Sequence, residues 1–272
     1  MRSIAKLMKD WQFTGPNGVT TAVELPHTWN AKDGQDGGND YWRGCCTYCT
    51  RFAAPVYDPA QQQVWLQFEG VNASAAVLLN GQQLCTHDGG YSTFRAEVTE
   101  LLQAENQLTV RVDNSVNDRV YPQKADFTFY GGIYRDVSLL VVNKNHIALG
   151  HFGDTGVKIT PTLKEGSADI RVETLVENAF DAGARTVTVE LLDAEGRTAA
   201  KGEGENTFLH LDAPHLWNGV KDPYLYTCVV RLLQDGKPVD EVTTKVGLRS
   251  FSVDAKKVFF LNGRPDPLHG VS

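Results

Sequence analysis

Apolar and polar residues alternate along much of this chain, and the 3.6-residue period of an amphipathic helix is hard to find. Successive side chains of a β-strand point to opposite faces, so a period of two predicts a sheet with one buried face. The runs that alternate most clearly are Val64, Leu66 and Phe68; Leu108, Val110 and Val112; Ile170, Val172 and Thr174; Val187, Val189 and Leu191; and Tyr226, Cys228, Val230 and Leu232. The pattern predicts a mostly antiparallel, all-β fold.

Turn dipeptides separate several of these runs. Asn80-Gly81, Asp235-Gly236 and Asn262-Gly263 each stand between two apolar stretches. Such pairs adopt positive φ at both central positions, which matches the twist of a two-residue hairpin. We therefore predict three tight β-hairpins.

A polar stretch after "DVSLLVV", at 143–146, marks a domain boundary. Residues 144–251 hold about seven predicted strands, the pattern of an immunoglobulin-like β-sandwich. The longer run of strands and aromatic loops at 1–143 suggests a jelly-roll sandwich. The predicted order is a jelly-roll domain at 1–143, an immunoglobulin-like domain at 144–251 and a connecting segment at 252–272.

Composition and charge limit the classes of ligand and the location that the sequence predicts. The net charge of −7 argues against a nucleic-acid surface, which needs clustered Lys and Arg. The first nine residues lack the apolar core of a signal peptide, and no run reaches transmembrane length. These features favour a neutral or mildly polar ligand and predict neither secretion nor membrane insertion.

The five cysteines form an odd number without paired spacing. A zinc site built on Cys45, Cys46 and Cys49 would lack a second ligand pair at the usual distance. Buried or half-buried free thiols are the favoured interpretation, and reduced thiols indicate the cytoplasm.

Seven stretches in series resemble landmarks of glycoside hydrolase family 2. Those similar to its amino-terminal sugar-binding domain are "LPHTWN" (25–30), "YWRGCCTY" (41–48), "FEGVNASAAVLLNG" (68–81), "HDGGYSTF" (87–94) and "DFTFYGGIYRDV" (126–137). Those similar to its immunoglobulin-like domain are "HLWNGVKDPYLY" (215–226) and "VGLRSFSV" (246–253). A further stretch, "FFLNGRPDPLHGVS" (259–272), resembles the lead-in to the family's third domain.

That third domain is a (β/α)8 barrel that carries two catalytic glutamates and takes about 250 residues. The family's general acid/base lies in an Asn-Glu pair, and no Asn in this chain is followed by Glu. Retaining hydrolysis needs two carboxyls about 5–5.5 Å apart, one of them with a raised pKa. The resemblance therefore implies a chain without catalytic residues that depends on a separate barrel.

Three residues form the candidate sugar-binding and cation site. The resemblance implies that Asp126 reaches toward the sugar and helps to hold a monovalent or divalent cation that the barrel completes; capping of its own loop is the alternative. Asn39 and Asp40 lie in a long polar loop, which the resemblance places near the barrel mouth; a solvated loop is the alternative.

Three tryptophans and the Arg135-Asp136 pair are interpreted as structural. We predict that Trp29, Trp42 and Trp65 serve core or interdomain packing rather than sugar stacking. Arg135 and Asp136 are adjacent on a strand and face opposite ways, and Arg135 is expected to anchor its loop.

The resulting hypothesis is the non-catalytic amino-terminal region of a retaining exo-glycosidase that hydrolyses terminal β-linked sugars, with β-galactosides favoured. The resemblance also implies a homo-oligomer in the full-length form. A β-glucuronidase or β-mannosidase, a stand-alone carbohydrate-binding protein and an adhesion-type module are the alternatives.

Overall fold

The computed structural model describes residues 1–32, 41–122, 125, 127–150, 152–178, 184–255, 258–268 and 270. The chain divides into two compact units. The first comprises Arg2–Asn143 and Gly150–Asp154, and the second comprises Met1, Lys144–Leu149 and Thr155–Ser272. Among the described residues the regular elements are all strands, apart from short 3-10 turns at Thr99–Leu101 and Gly219–Lys221. The described part contains no helix long and apolar enough to cross a membrane.

The first unit holds thirteen described strands in antiparallel sheets. They are β1 (Ser3–Lys6), β2 (Trp11–Thr14), β3 (Thr20–Val23), β4 (His27–Thr28), β5 (Cys45–Ala53), β6 (Gln62–Phe68), β7 (Val71–Asn72), β8 (Ser74–Leu79), β9 (Gln82–Asp88), β10 (Phe94–Glu97), β11 (Glu105–Asp113), β12 (Gly132–Ile133) and β13 (Val137–Asn143). One sheet has the order β1-β13-β6-β10, a second has the order β3-β2-β5-β11-β8-β9, and a small third sheet has the order β4-β12-β7.

The two large sheets of the first unit share one apolar core. Trp11 and Tyr48 come from the six-stranded sheet and Leu66 and Phe68 from the four-stranded sheet, and none of the four is exposed. Burial of each such side chain contributes about 1.5–3 kcal/mol relative to exposure. This sandwich is the jelly-roll domain that the sequence predicts.

The second unit holds the remaining strands and a separate core. They are β14 (Asn145–Ile147), β15 (Val157–Lys164), β16 (Ser167–Thr174), β17 (Val176–Asn178), β18 (Arg185–Leu192), β19 (Thr198–Glu203), β20 (Asn206–Asp212), β21 (Tyr226–Gln234), β22 (Lys237–Val246), β23 (Phe251–Asp254), β24 (Val258–Leu261) and β25 (Arg264–Pro265). The sheets β15-β16-β20 and β19-β18-β21-β22 enclose an immunoglobulin-like core that includes Ile170 and Leu191. A strand pair β14-β17 and a three-stranded sheet β23-β24-β25 complete this unit.

The alternation in the sequence is confirmed as a burial pattern. Val64, Leu66 and Phe68 are fully buried along β6, and the residues between them are half-buried. The named residues of the other four runs are buried as well, and all of them except the polar Thr174 belong to a hydrophobic core. The period of two in the sequence therefore identifies the side chains on the inward faces of these strands.

The three predicted hairpins are confirmed as well. Asn80 and Gly81 have φ values of 52° and 83° between β8 and β9. The pairs at 235–236 and 262–263 also have positive φ at both positions and connect β21 to β22 and β24 to β25. Tight primed turns thus set the register of these strands.

One buried carboxyl group ties β14 to the rest of the second unit. Asp240, in β22, has no exposed surface. Its Oδ2 accepts a hydrogen bond from the Ile147 amide at 2.8 Å, and its Oδ1 accepts one from the Glu241 amide at 3.0 Å. A side-chain carboxylate therefore connects β14 to β22, whereas the paired strands of the sheets are joined by backbone hydrogen bonds.

Candidate functional site

The three candidate residues named from the sequence, Asp126, Asn39 and Asp40, lie outside the described residues. Their neighbours are described: Phe127 to Asp136 follow the first of them, and Tyr41 to Gly44 follow the other two. The site is therefore built from these flanking residues. We call residues 127–132 the aromatic-glycine segment.

Two buried asparagine side chains form hydrogen bonds with the backbone of this segment. Asn30 has no exposed surface; its Oδ1 accepts from the Gly131 amide at 2.8 Å, and its Nδ2 donates to the Trp42 carbonyl at 2.9 Å. Asn114, equally buried, donates through Nδ2 to the Phe129 carbonyl at 2.9 Å and to Asn30 Oδ1 at 3.2 Å. The two amides thus form one connected network.

Asn114 also joins the segment to the loop before β5. Its Oδ1 accepts a hydrogen bond from the Gly44 amide at 2.8 Å, and its carbonyl accepts one from Arg43 Nε at 2.8 Å. Arg43 and Gly44 are therefore positioned by the same residue that positions Phe129. This links the two stretches of the candidate site within the first unit.

Two further side chains bind the carbonyls of the next two residues of the segment. Asn72, in β7 and 5% exposed, donates through Nδ2 to the Tyr130 carbonyl at 2.7 Å. Thr28, in β4, donates through Oγ1 to the Gly131 carbonyl at 2.8 Å. The carbonyls of three consecutive residues, 129 to 131, are thus bound by side chains. An irregular backbone is rigid here because its polar groups are paired.

The paired glycines are required by close packing. A Cβ atom on Gly131 would overlap the indole ring of Trp29, and one on Gly132 would overlap the His27 carbonyl. Gly132 also has a φ of 143°, a conformation that other residues rarely adopt. The glycines let the segment lie directly against β4.

This contact gives a testable stability effect. We expect Gly131→Ala to lower the free energy of unfolding of the first unit by about 1–3 kcal/mol, because the new methyl group must displace a packed indole. Denaturant unfolding measures the loss. Trp29→Leu makes room for the methyl group, so the double variant should lose less than the sum of the two single variants. Strict additivity would contradict the overlap.

The tryptophans of the resembling stretches belong to packing, as predicted for Trp29 and Trp42. Trp29 stacks on Phe13 with ring centroids 5.9 Å apart, and it meets Trp42 edge-on at 6.0 Å. Both pack against the core of the first unit. Trp65 is half-buried on the face of β6 opposite to its buried neighbours.

Arg135 and Asp136 lie in the connection between β12 and β13, so the prediction that they occupy adjacent strand positions is wrong, and the two side chains contact different parts of the first unit. Arg135 donates through Nη1 to the carbonyls of Tyr91 at 3.1 Å and Glu69 at 3.4 Å, so it connects two loops. Asp136 forms an ion pair with Lys6 at 2.6 Å. Tyr134 adds a hydrogen bond from its hydroxyl to the Gly90 carbonyl. These contacts fit the anchoring role expected for Arg135.

The outward face of the site is apolar and aromatic. Phe127 is 50% exposed and Tyr130 is 41% exposed, and they stand on the rigid backbone described above. The neighbouring Tyr91 and Tyr121 are also exposed. These two line a small pocket that contains Arg43, which we call the rim pocket. The first unit therefore presents a preformed aromatic rim.

Two histidines of the first unit make its stability depend on pH. Burial lowers the pKa of His27, which contacts the Tyr48 hydroxyl at 2.7 Å, and it lowers the pKa of His87, which stacks on Phe94. The unfolded chain therefore binds more protons than the folded chain as the pH falls through the ordinary value of 6.5.

We accordingly expect the free energy of unfolding of the first unit to fall between pH 7 and pH 5, about the range in which an ordinary histidine gains its charge. Urea titrations at a series of pH values measure this. The double variant His27→Asn, His87→Asn should show a flatter dependence over the same range. An equally steep dependence in the double variant would assign the effect to other groups.

The cysteines are free thiols. Cys46 and Cys228 are buried, which raises the pKa of Cys46 to about 12 and that of Cys228 to about 11. Cys49 and Cys85 are half-buried, whereas Cys45 is exposed, in contrast to the expected burial. The described residues contain no group of three side chains that could hold a metal ion. The cation expected at Asp126 stays a prediction, since that residue lies outside the described part.

Comparison with known proteins covers both units. Residues 38–162 match the family model described as "Glycosyl hydrolase 2 galactose-binding domain-like", and residues 151–249 match the model described as "Glycosyl hydrolases family 2". A β-glucuronidase from Bacteroides fragilis is 35% identical over 97% of this chain, and a β-galactosidase from Bacteroides ovatus is 31% identical over 96%. The chain spans 40% and 33% of these two relatives.

Solved structures agree with this result. An FMN-binding β-glucuronidase from Faecalibacterium prausnitzii L2-6 superimposes with a TM-score of 0.92 at 35% identity, covering all of this chain and 43% of that protein. A putative β-galactosidase from Bacteroides fragilis gives a TM-score of 0.89 at 36% identity, covering 97% of this chain and 44% of that protein. Both sandwiches and their order along the chain are thus found together in known proteins.

Proposed function

The chain belongs to glycoside hydrolase family 2, and on this basis we propose that it is the non-catalytic sandwich region of an exo-acting β-glycosidase. In this proposal the reacting carboxyls come from a catalytic barrel. The two sandwiches act as scaffold domains, and the aromatic rim of the first unit borders the sugar site.

The match of both units to family 2 models carries the proposal, and the acids of the described part agree with it. A retaining glycosidase keeps one carboxyl protonated through a raised pKa. Every described carboxyl with a resolved change has a pKa below its ordinary value, and these are Asp88, Asp169, Glu190 and Asp193. Hydrogen bonds from Ser74 and Arg119 to Asp88 illustrate the main cause. Such acids suit surface ion pairs rather than proton donation.

The exposed aromatic side chains of the first unit support a scaffold role. Tyr130 remains open to solvent although amide side chains bind its own carbonyl and that of Phe129, and Phe127 is exposed close by. Rigid apolar surface of this kind is typical of an interface with another part of a protein. A barrel packed against the rim would cover it and would place the neighbouring Asp126 at the seam.

The substrate class is proposed as terminal β-glucuronides or β-galactosides. The sequence favours galactosides, but the relatives named above include both a β-glucuronidase and a β-galactosidase at similar identity. Glucuronides therefore stand on an equal footing with galactosides in the proposal.

Hydrolysis by the longer gene product tests this proposal. We expect a product that carries this chain together with the coding sequence after Ser272 to hydrolyse a chromogenic β-glucuronide or β-galactoside. The ratio of kcat/KM for the two substrates assigns the class. A longer product that hydrolyses neither substrate would contradict the proposal.

A stand-alone carbohydrate-binding protein is the second candidate, favoured by the match to a galactose-binding domain-like model. It predicts that the 272-residue chain binds a simple sugar with a Kd well below about 1 mM, which corresponds to more than about 4 kcal/mol. The scaffold proposal predicts weaker binding, because the barrel supplies most of the sugar contacts. Calorimetry with galactose separates the two.

A further inference from the structure

The six-stranded sheet of the first unit ends in a strand whose outer edge is open. β3 pairs with β2 along one side and has no partner on its other side among the described residues, and Thr20, Thr21 and Ala22 are exposed. We propose that β3 pairs with β3 of a second copy of this chain, so that two six-stranded sheets continue across a two-fold axis. β3 lies outside both family-model matches, and the proposal does not depend on the function proposed above.

Every second residue of β3 directs its backbone polar groups toward the open edge. Where the hairpin between β2 and β3 closes, the Gly15 amide donates to the Val19 carbonyl at 3.1 Å. Hydrogen bonds between antiparallel strands recur at every second residue, so Thr21 also bonds to β2. The amide and carbonyl groups of Thr20 and Ala22 therefore point away from β2. Exposed groups of this kind form a template for a further strand.

β3 also lacks the residues that usually prevent pairing between sheet edges. Proteins protect such edges with charged side chains, proline or bulges. The sequence of β3, TTAV, has no charge and no proline, and its ladder with β2 has no register shift. Every other described edge strand of four or more residues carries a charge, and examples are Lys6 in β1, Asp88 in β9, Arg95 in β10, Lys158 in β15, Lys201 in β19, Asp212 in β20, Lys237 in β22 and Asp254 in β23. Because β1, β10 and β23 are as short as β3, length alone does not explain the difference.

The outward backbone groups fix the register of the proposed pair. Thr20 of each copy exchanges hydrogen bonds with Ala22 of the other, which places Thr21 opposite Thr21 on the two-fold axis. Val19 of each copy then faces Val23 of the other. Pairs of threonines and of β-branched residues stabilise antiparallel strands, and like charges opposite each other destabilise them. Since residues 19–23 carry no charge, the edge is complementary to itself.

The proposed pairing also covers apolar surface. Thr21 and Val23 lie opposite Phe13 and Trp11 of β2, on the face of the sheet that is turned toward the core. Val19 continues this row on the same face, and it is 54% exposed. A second β3 would cover it with the side chain of Val23. Because only a short strand from each copy takes part, the contact is smaller than the roughly 1,200 Å² of a stable interface, so the association is weak and reversible.

Sedimentation equilibrium of the 272-residue chain tests this inference. We expect a monomer–dimer equilibrium with a Kd below about 1 mM. T21K places two positive charges on the two-fold axis and should weaken the association at least tenfold, and T21E should do the same with two negative charges. In an equimolar mixture of T21K and T21E, a lysine of one copy meets a glutamate of the other. The mixture should therefore associate at least as tightly as the wild type.

A backbone variant and a matched control make the test specific to this edge. A22P removes an amide that points away from β2, so the hairpin is kept while the association should be lost. Q83K adds the charge of T21K at an exposed position of β9, the other edge strand of the same sheet, and should associate like the wild type. Near-UV circular dichroism of each variant should match that of the wild type, which shows that the variant is folded.

Hydrogen exchange gives a local measurement of the same contact. The amides of Thr20 and Ala22 should exchange more slowly as the protein concentration rises toward the Kd, because they become bonded only in the dimer.

Four outcomes would overturn the inference: a monomer at every concentration up to about 1 mM, a dimer that T21K does not weaken, a mixture of T21K and T21E that stays dissociated, or a dimer that is lost in Tyr130→Ser. A monomer would leave the edge to another polypeptide, and loss in Tyr130→Ser would assign the contact to the aromatic rim. None of these outcomes touches the proposed function, which is tested by hydrolysis in the longer gene product.

Discussion

Replacing Asn114 with alanine lowers the free energy of unfolding of the first unit by an expected 3–5 kcal/mol or so. Asn114 has no exposed surface and forms three side-chain hydrogen bonds. Its loss leaves the Gly44 amide and the Phe129 carbonyl without these partners. Each buried polar group left unpaired costs about 1–3 kcal/mol, so the combined effect exceeds that of most single substitutions.

Tryptophan fluorescence during denaturant unfolding measures this effect. Four of the five tryptophans, Trp11, Trp29, Trp42 and Trp65, lie in the first unit, so their signal reports mainly on it. Gln83→Ala, at an exposed position of β9 in the same unit, is the control and should change stability by less than about 0.5 kcal/mol. A loss below about 1 kcal/mol for Asn114→Ala would contradict the role assigned to the network.

The network also predicts non-additivity. Asn114 donates to the Oδ1 of Asn30 at 3.2 Å, so Asn30→Ala and Asn114→Ala remove a shared interaction. The double variant should therefore lose less than the sum of the single variants, with a coupling energy of about 0.5–3 kcal/mol. Full additivity would mean that the two amides stabilise the segment independently.

The second large effect is expected for Asp240→Ala in the other unit. The Asp240 carboxyl is completely buried and accepts hydrogen bonds from the amides of Ile147 and Glu241. Removing it leaves both amides without this acceptor and frees β14 from β22. We expect the second unit to lose about 3–5 kcal/mol.

Hydrogen exchange measures this loss within the second unit alone. The amides of Val230 and Leu232, in the buried strand β21, should exchange by global unfolding of that unit and lose protection in the variant. Asp212→Ala is the matched control, since its side chain is 95% exposed. Unchanged protection in Asp240→Ala would show that β14 is held by other contacts.

Strands and hairpins were accessible from sequence because their signals are local. The residues Val64, Leu66 and Phe68 carry the period of two within five positions, and each turn dipeptide fixes its own backbone geometry. Strands and tight turns depend on residues that are close together in the sequence, so they can be predicted from the sequence alone.

The amide network was missed because its partners are distant in sequence. Asn30 and Gly131 are 101 residues apart, and Asn72 and Tyr130 are 58 apart. Asparagines beside turns are ordinarily read as solvated loop residues. One signal was present: Asn72 and Asn114 each stand at the end of a strand with a buried apolar residue close before them, at Val71 and Val112.

The candidate residues from the sequence remain predictions. Asp126, Asn39 and Asp40 lie outside the described part, but their described neighbours include a rigid aromatic segment and Arg43, which is held by the Asn114 carbonyl. Arg43 was present in the quoted stretch "YWRGCCTY" and was not singled out, because nothing in the sequence shows that the Asn114 carbonyl and the Phe129 ring hold its side chain.

Hydrolysis by the purified 272-residue chain tests the central claim most directly, since that claim is that this chain is a scaffold without reacting groups. The chain would be assayed against chromogenic β-glucuronide and β-galactoside. The account predicts no turnover of either substrate above the uncatalysed rate. Turnover that copurifies with the chain to constant specific activity would contradict it.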